Sequence, residues 1–124
     1  MLNNANVCGR LVKEIMLQQV GDNVKTVFTL AVPRDYKDKE GNYPTDFIDC
    51  EAWNQAASYL EQYANKGDII TVSGSVRKDA WKTDEGWNSR VYIAADRVNL
   101  IRTSDRQEEQ EDQEKPKTKT YRRK

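Results

Sequence analysis

The alternating pattern of residues 46–54 constrains the fold of this chain more than any other stretch. Along a β-strand, successive side chains point to opposite faces. One face of such a strand carries small and aliphatic side chains, namely Ile48, Cys50 and Ala52. The other face mixes two rings with two carboxylates, namely Phe47, Trp53, Asp49 and Glu51. Burying two unpaired carboxylates is costly, whereas Ile, Cys and Ala are often fully buried. The pattern therefore predicts that Phe47 and Trp53 face solvent.

An exposed aromatic pair on a regular sheet forfeits its burial energy unless a flat partner covers it. A nucleic-acid base is the commonest partner of this shape. The two rings therefore predict a surface that binds unpaired bases. The alternative interpretation buries Phe47 and Trp53 and leaves the two acids at a sheet edge, and this stretch of sequence leaves both interpretations open.

Length and charge favour one small domain. The chain has 124 residues and its last aliphatic residue is Ile101, so residues 1–102 are expected to form the domain. Lys plus Arg number 20, as do Asp plus Glu, so any electrostatic attraction for a partner must be local. Residues 105–114 hold six acids and one base, and residues 115–124 hold six bases and no acid. We expect residues 103–124 to be a disordered, charged tail, because they lack the apolar surface that offsets ordering entropy.

The use of cysteine and histidine excludes several kinds of site. The chain has no His, and its only cysteines are Cys8 and Cys50. C-x-x-C redox motifs, thiolate or imidazole zinc sites and His-based triads are therefore excluded. We expect both cysteines to be small buried hydrophobes, and we expect no cofactor. No stretch approaches the roughly 20 apolar residues of a membrane span, and no signal-like run follows Met1, so a soluble cytoplasmic protein is expected.

Periodicity and turn residues predict five strands and one helix. The strands are expected over residues 5–17, 24–32, 47–53, 69–77 and 91–101, and the helix over residues 54–64. A long hairpin loop is expected at residues 34–45, and a second hairpin has its tip at residues 84–86. Continued alternation after residue 69 places Arg77 and Trp81 on the outward face. The order β-β-β-α-β-β predicts an all-β fold with one helix, the five-stranded Greek-key barrel called the OB-fold.

The chain resembles the bacterial single-stranded DNA-binding proteins over nearly all of residues 1–102. The matching stretches run from Asn3 to Leu11, Phe28 to Val32, Asp46 to Trp53, Tyr63 to Asp68, and Val72 to Arg77, with Trp81 beyond them. No single stretch is diagnostic, but their order and spacing together are specific. The resemblance implies a non-enzymatic protein that binds single-stranded DNA without sequence preference and protects it during replication, recombination or repair.

The resemblance also implies which rings stack on bases. Four residues occupy the family's stacking positions, where Trp, Tyr and Phe interchange: Tyr36, Phe47, Trp53 and Trp81. Trp87 and Tyr43 lie near loop tips and are additional candidates, which either stack on DNA or pack across their own hairpins. The resemblance further implies a homotetramer, a dimer of dimers paired through the first strand, which would cover an open sheet edge.

Phosphate binding requires cations near those rings. Seven basic residues lie on the outward phase or in the flanking loops: Arg10, Lys13, Arg34, Arg77, Lys78, Lys82 and Arg90. Each of them is individually more typical of a solvated surface charge, but as a set interleaved with aromatic rings they indicate a nucleic-acid surface. Arg77 is the strongest single candidate.

Two features depart from the family pattern. Asp49 and Glu51 put negative charge on the stacking face, and Asp79 and Ala80 stand where many relatives have basic or polar residues. These acids either reduce the affinity for phosphates, which would make binding weaker and more salt-sensitive, or shift the path of the phosphates. The family usually ends in an acidic tip with a Pro-Phe pair that docks replication and repair enzymes, whereas the last residues here are basic. The resemblance is thus to a short version, either a paralogue or a phage or mobile-element form, whose tail has other partners, touches nucleic acid or only adds solubility.

Two other functions compete with this interpretation. In an OB-fold protein-interaction or primosome-type module, the same aromatic face would bury against a protein partner. In a nuclease, four carboxylates would hold Mg²⁺, namely Asp22, Asp46, Asp49 and Glu51. Two acids spaced two residues apart, however, recur by chance in so acidic a chain.

Overall fold

The computed structural model of the chain describes residues 1–102. These residues form six strands and one helix, in the order β1 Ala5–Leu11, β2 Gln18–Val20, β3 Asn23–Pro33, β4 Thr45–Trp53, α1 Gln55–Tyr63, β5 Ile69–Thr83 and β6 Gly86–Arg102. The expected tail, residues 103–124, lies outside the described residues. In residues 1–102 no helix is long and apolar enough to cross a membrane.

Five of the strands close into a ring. β1 pairs antiparallel with β5 along most of its length and with β3 at Arg10 and Leu11. β3 continues to β4, β4 pairs in parallel with β6, and β6 returns to β5. Without the short β2, the order of elements is β-β-β-α-β-β, which confirms the expected OB-fold topology.

The first strand is shorter than expected. The expectation of a strand through residue 17 was wrong, because β1 ends at Leu11, where the chain is tied to the segment that follows α1. Leu11 N–H donates to the carbonyl of Asp68 at 2.9 Å, and Gly67 N–H donates to the carbonyl of Leu11 at 2.8 Å. The chain then re-enters the sheet as β2, which forms a hairpin with the start of β3 through Gly21 at φ 59°.

The core lies inside the ring and is built by alternation. The inward side chains on the strands are buried, and α1 covers one end with Ala57 and Leu60. The strand residues in this core are Leu11, Phe28, Leu30, Cys50, Ala52, Ile70, Val72, Ile93 and Val98. Cys50 is buried as expected, and this burial raises the pKa of its thiol to about 12. The expectation for Cys8 was wrong: it is exposed, because the phase of β1 turns Gly9 and Leu11 inward.

Two glycines allow strands to approach closely. A Cβ at Gly9 would lie 2.8 Å from the Ala31 carbonyl oxygen, at the point where β1 leaves β5 for β3. A Cβ at Gly74 would clash with the backbone of Ala94, beside a register shift between β5 and β6. The ring can therefore close tightly at both places only without a side chain.

The helix begins and ends close to its expected bounds. Asn54, which precedes it, has φ 53° and ψ −115° and is tied to β3 by two hydrogen bonds. Its N–H donates to the Val24 carbonyl at 2.8 Å, and its Oδ1 accepts from Val24 N–H at 3.2 Å. Tyr59 docks the helix on β6, since its hydroxyl accepts from Leu100 N–H at 2.9 Å.

Candidate nucleic-acid interface

The outer face of β3 and β4 displays the first two predicted rings. Phe28 and Leu30 point inward, so the outward side chains of β3 lie opposite those of β4 in directly paired rows. These rows are Lys25 with Trp53, Val27 with Glu51, Thr29 with Asp49, and Ala31 with Phe47. Phe47 is 66% exposed and Trp53 is 37% exposed. The prediction that both rings face solvent is confirmed.

The third ring lies on a two-stranded arm. Beyond Val76 on β5 and before Ile93 on β6, residues 77–83 pair with residues 86–92 and extend away from the five-stranded ring. Directly opposed residues in an antiparallel pair share a face. One face of the arm carries the pairs Arg77 with Tyr92, Asp79 with Arg90, and Trp81 with Asn88. Trp81 is 46% exposed, so its expected outward position is confirmed.

The Trp81 face of the arm continues the outer face of β4. The connection is an ion pair at 3.2 Å from Arg90 Nη2 on the arm to Glu51 Oε1 on β4. Phe47, Trp53 and Trp81 therefore belong to one surface. We call this continuous surface, made by the outward side chains of β3 and β4 and by the Trp81 side of the arm, the aromatic face.

Trp87 lies on the opposite side of the arm. It pairs with Lys82, and Lys78 pairs with Val91 on the same side. Trp87 is 72% exposed. The arm therefore displays one tryptophan in each direction, with Lys82 opposite Trp87 and Lys78 further along the same side.

Tyr36 lies in the loop between β3 and β4 and is held by an ion pair at its base. Arg34 Nη2 lies 2.9 Å from Asp46 Oδ1, and Arg34 Nη1 donates to the Tyr36 hydroxyl at 3.0 Å. The hydrogen bonds from Arg34 hold the pKa of Asp46 below its usual value. Further out, Asp38 closes the loop, because its carboxylate accepts from the N–H groups of Glu40 and Asn42.

The expectation that Tyr43 lies near a loop tip was wrong, because it comes two residues before β4 and so lies near the base of the same loop. It is exposed, and the ammonium of Lys37 lies 5.8 Å from the centre of its ring. Two interpretations were given for this residue, stacking on DNA or packing across its own hairpin. The contact with Lys37 favours packing within the loop.

Glu51 is the main departure from the sequence expectations. Its phase is outward, but it is only 8% exposed because its neighbours on the aromatic face cover it. Trp53 Nε1 donates to Glu51 Oε2 at 2.8 Å, while Arg90 binds the other oxygen. Burial by itself raises the pKa of Glu51, but the hydrogen bonds from Trp53 and Arg90 and the charge of Lys25 together hold it below its ordinary value. Glu51 is therefore a paired, ionised carboxylate.

Tyr92 extends this cluster onto the arm. Its ring is buried under the guanidinium of Arg90, whose Cζ lies 4.0 Å from the ring centre. Burial is the main cause that raises the pKa of Tyr92, and a hydrogen bond with Asp79 adds to it. Sequence reasoning missed this ring, although its spacing from Arg90 on a strand placed both on one face.

The seven predicted cations differ in their surroundings. Arg34 and Arg90 are engaged by carboxylates, and Arg10 donates to the Gly67 carbonyl at 2.8 Å. Lys13, Arg77, Lys78 and Lys82 are exposed, and within residues 1–102 none of the four forms an ion pair. Arg10 lies in one row with Ala31 and Phe47, across β1, β3 and β4.

Sequence reasoning also missed Lys25. Its ammonium lies 5.5 Å from the centre of the Trp53 ring, directly across the β3–β4 pair. The outward phase of β3 contained the signal, because Lys25 alternates with the buried Thr26 and Phe28. A cation already accompanies this ring before any ligand arrives.

Three of the four carboxylates proposed for a nuclease take part in separate interactions. Asp46 binds Arg34, Asp49 accepts from the Thr29 hydroxyl at 2.9 Å, and Glu51 binds Trp53 and Arg90. Within the part of the chain that the structure describes, no three acidic or cysteine side chains are grouped so as to hold a metal ion.

Comparison with known proteins agrees with this geometry. A profile of the single-strand binding protein family matches residues 2–101. The chain is 35% identical over 94 residues to single-stranded DNA-binding protein 1 of Streptococcus pyogenes serotype M18, covering 75% of this chain and 71% of that protein. It is 37% identical over 103 residues to the single-stranded DNA-binding protein of Caldanaerobacter subterraneus subsp. tengcongensis, covering 82% and 69%. It is 30% identical over 109 residues to single-stranded DNA-binding protein 4 of Streptococcus agalactiae serotype V, covering 85% and 78%.

The match spans the ring, the helix and the arm together, and thus includes every element that contributes to the aromatic face. The resemblance of the sequence to bacterial single-stranded DNA-binding proteins rests on the same elements. This chain therefore belongs to the single-strand binding protein family.

Proposed function

We propose that this protein binds single-stranded DNA without sequence preference and protects it in the cytoplasm during replication, recombination or repair, with no catalytic step of its own. The observation that carries the proposal is the aromatic face, on which Phe47, Trp53 and Trp81 are exposed together. Tyr36 joins them from the loop between β3 and β4. Every base has a π-face, so a row of rings accepts any sequence.

Base stacking supplies most of the affinity in this proposal. Each base stacked on an aromatic side chain is worth about 1–3 kcal/mol, a general range for proteins that bind single strands, for which this family is itself a standard example. Four such rings in one subunit are enough for tight binding even though carboxylates lie on the same face. The acids on and beside this face oppose binding less than their number suggests, because arginines neutralise Glu51 on the face and Asp46 next to it.

Phosphate contacts come from cations in three places. Arg77 lies on the Trp81 side of the arm, while Arg10 lies in the Phe47 row and Lys25 lies over Trp53. We assign these three to the strand that stacks on the aromatic face. Lys78 and Lys82 serve a strand that continues past Trp87, and Lys13 serves the region after β1. Arg34 and Arg90 act chiefly through the carboxylates that they hold.

The proposed assembly is a homotetramer built from two dimers. Within residues 1–102, β1 stands at the end of the strand order and meets β3 only at Arg10 and Leu11. The edge of β1 along residues 5–9 is therefore open on that side, and an open edge favours pairing with another strand. A second copy of β1 is the partner that we propose for it.

Quenching of tryptophan emission by oligo-dT tests the proposed function. Stacked bases quench indole fluorescence, so titration at low salt should lower the emission strongly and saturably. Added salt should weaken the binding, because phosphate contacts release counterions. An unchanged signal at low salt would refute the proposal and favour the protein-interaction alternative, in which the aromatic face buries against a protein.

Labelled single strands incubated with the protein and Mg²⁺ test the absence of catalysis. We expect the full-length strand to persist. Loss of that strand, abolished by Asp49→Asn, would instead reveal a nuclease.

A further inference from the structure

We propose that Glu51 is a positioning residue of the aromatic face: its covered carboxylate fixes the Trp53 ring and ties β4 to the arm, so that Trp53 and Trp81 are presented in one set arrangement. This inference rests on the proposed function for its effect on DNA binding. Its effect on the free protein is independent of that function.

Both oxygens of the Glu51 carboxylate are used, and by different elements. Oε2 accepts from Trp53 Nε1 at 2.8 Å on the same strand, while Oε1 accepts from Arg90 Nη2 at 3.2 Å on the arm. With 8% of its surface exposed, the residue meets little water. The Glu51 side chain therefore joins the Trp53 indole on β4 to the Arg90 guanidinium on the arm.

A carboxylate at position 51 is unfavourable for strand packing, for burial and for binding phosphates. It lies opposite Val27 in the middle of a strand pair, where an aliphatic β-branched side chain is the ordinary choice. Covering a charge costs free energy unless it is well paired, and a negative charge on this face repels phosphates. The interactions with Trp53 and Arg90 are what offset these costs, so the benefit of Glu51 lies in what it positions.

The first consequence concerns the entropy of stacking. If an indole becomes ordered only when a base stacks on it, the loss of side-chain entropy costs about 0.5–1.5 kcal/mol of binding free energy. Trp53 is restrained beforehand by its hydrogen bond to Glu51, and the residue is still 37% exposed. Binding therefore meets a ring that is already oriented.

The second consequence concerns the arm. Backbone pairing between β4 and β6 is short, with partners at Cys50 and Glu51 only among the described residues. The bridge from Glu51 to Arg90 extends this contact outward, and Arg90 continues it by stacking on Tyr92. The direction of the arm, and with it the position of Trp81, is thus braced by side chains as well as by backbone.

The test compares three variants. Glu51→Val keeps a side chain suited to the strand but removes both interactions, while Glu51→Gln keeps an acceptor for Trp53 and removes the charge pair. Asp49→Asn is the control, since it removes a negative charge from the same face at a residue bonded to Thr29 rather than to a ring. Electrostatics alone predicts that all three variants bind oligo-dT more tightly than the wild type, because each removes one negative charge.

The proposal predicts a different order. Glu51→Val should bind oligo-dT about three- to tenfold more weakly than the wild type, as expected from the ordering cost of one side chain. Glu51→Gln should fall between the two, and Asp49→Asn should bind at least as tightly as the wild type. Tighter binding by Glu51→Val would overturn the proposal.

A readout in the free protein separates this inference from the proposed function. In a Trp81→Phe/Trp87→Phe background, Trp53 is the one tryptophan left of the three, and time-resolved anisotropy reports the motion of its indole. We expect faster indole motion in Glu51→Val and near-wild-type motion in Glu51→Gln. Equal motion in all variants would overturn the positioning role even if DNA binding is strong. If Glu51→Val fails to fold, Glu51→Gln provides the test. An unaltered affinity and salt dependence in Glu51→Gln would refute the proposal that the Glu51–Arg90 ion pair positions the arm.

Discussion

At the scale of single residues, the rings proposed to stack on bases are supported in different ways. Trp53 has an acceptor for its N–H and a cation over its ring. Tyr36 is held through its hydroxyl by Arg34. Phe47 has no polar atom to be held by, and it lies opposite Ala31 in the row that contains Arg10. Two carboxylates, Asp46 and Glu51, hold side chains that we propose contact DNA, either directly or through an arginine.

Replacing Trp53 by Ala separates stacking from charge. Trp53→Ala should weaken oligo-dT binding by about 1–3 kcal/mol, because one stacked base loses its partner. The slope of log affinity against log salt should stay nearly constant, since no phosphate contact is removed. Affinity measured at several salt concentrations checks this. A markedly flatter slope would mean that Lys25 contacts phosphate only when Trp53 is present.

Replacing Arg77 by Ala should have the opposite signature. Arg77→Ala should flatten the salt dependence by about one phosphate, a slope change of roughly 0.7 for single strands. Lys66→Ala is the control, because Lys66 is exposed just beyond α1 and away from the arm. The assignment of Arg77 fails if both variants change the slope equally.

At the scale of elements, alternation of side chains predicted the strands that line the core. It did not predict interactions between residues that are far apart in the sequence. The faces of β3, β4 and β5 followed from period-two patterns, as did the exposed rings. The burial of Glu51 did not, because Arg90, which pairs with it, is 39 residues away in the sequence. The short β2 also escaped prediction, since all three of its residues are exposed and carry no alternating pattern.

Strand β3 carries a buried hydroxyl group that lacks a hydrogen bond. Thr26 on β3 is fully buried, and its Oγ1 has no hydrogen-bond partner among the described residues. Thr26→Val keeps the shape and removes the orphaned hydroxyl, so it should raise the free energy of unfolding by about 1–2 kcal/mol. Urea denaturation measures this change.

Thr29→Val provides the matched control on the same strand. The Thr29 hydroxyl donates to Asp49 on the outer face, so the same substitution there should give no gain in stability. The prediction is contradicted if Thr26→Val gives no more stability than Thr29→Val does.

At the scale of the whole molecule, the edge of β1 is available for assembly, as far as residues 1–102 show. The open side of β1 along residues 5–9 invites pairing with a second subunit. We expect native mass spectrometry to give four times the chain mass of 14.4 kDa. A monomer at micromolar concentration would refute the proposed homotetramer. Sequence patterns reached this expectation only through resemblance, because an open edge is a property of the closed ring and of no single strand.

The two tryptophans of the arm point to opposite sides. The fluorescence of each one therefore reports whether bound nucleic acid lies on its side of the arm. A short oligonucleotide that lies along Trp53 and Trp81 passes on the far side from Trp87. In a Trp53→Phe/Trp81→Phe protein, emission from Trp87 should therefore stay bright with short oligo-dT and dim only once the polymer is long enough to go round the hairpin tip. Dimming by the shortest oligomers that bind would instead mean that the nucleic acid approaches the hairpin from both sides from the outset.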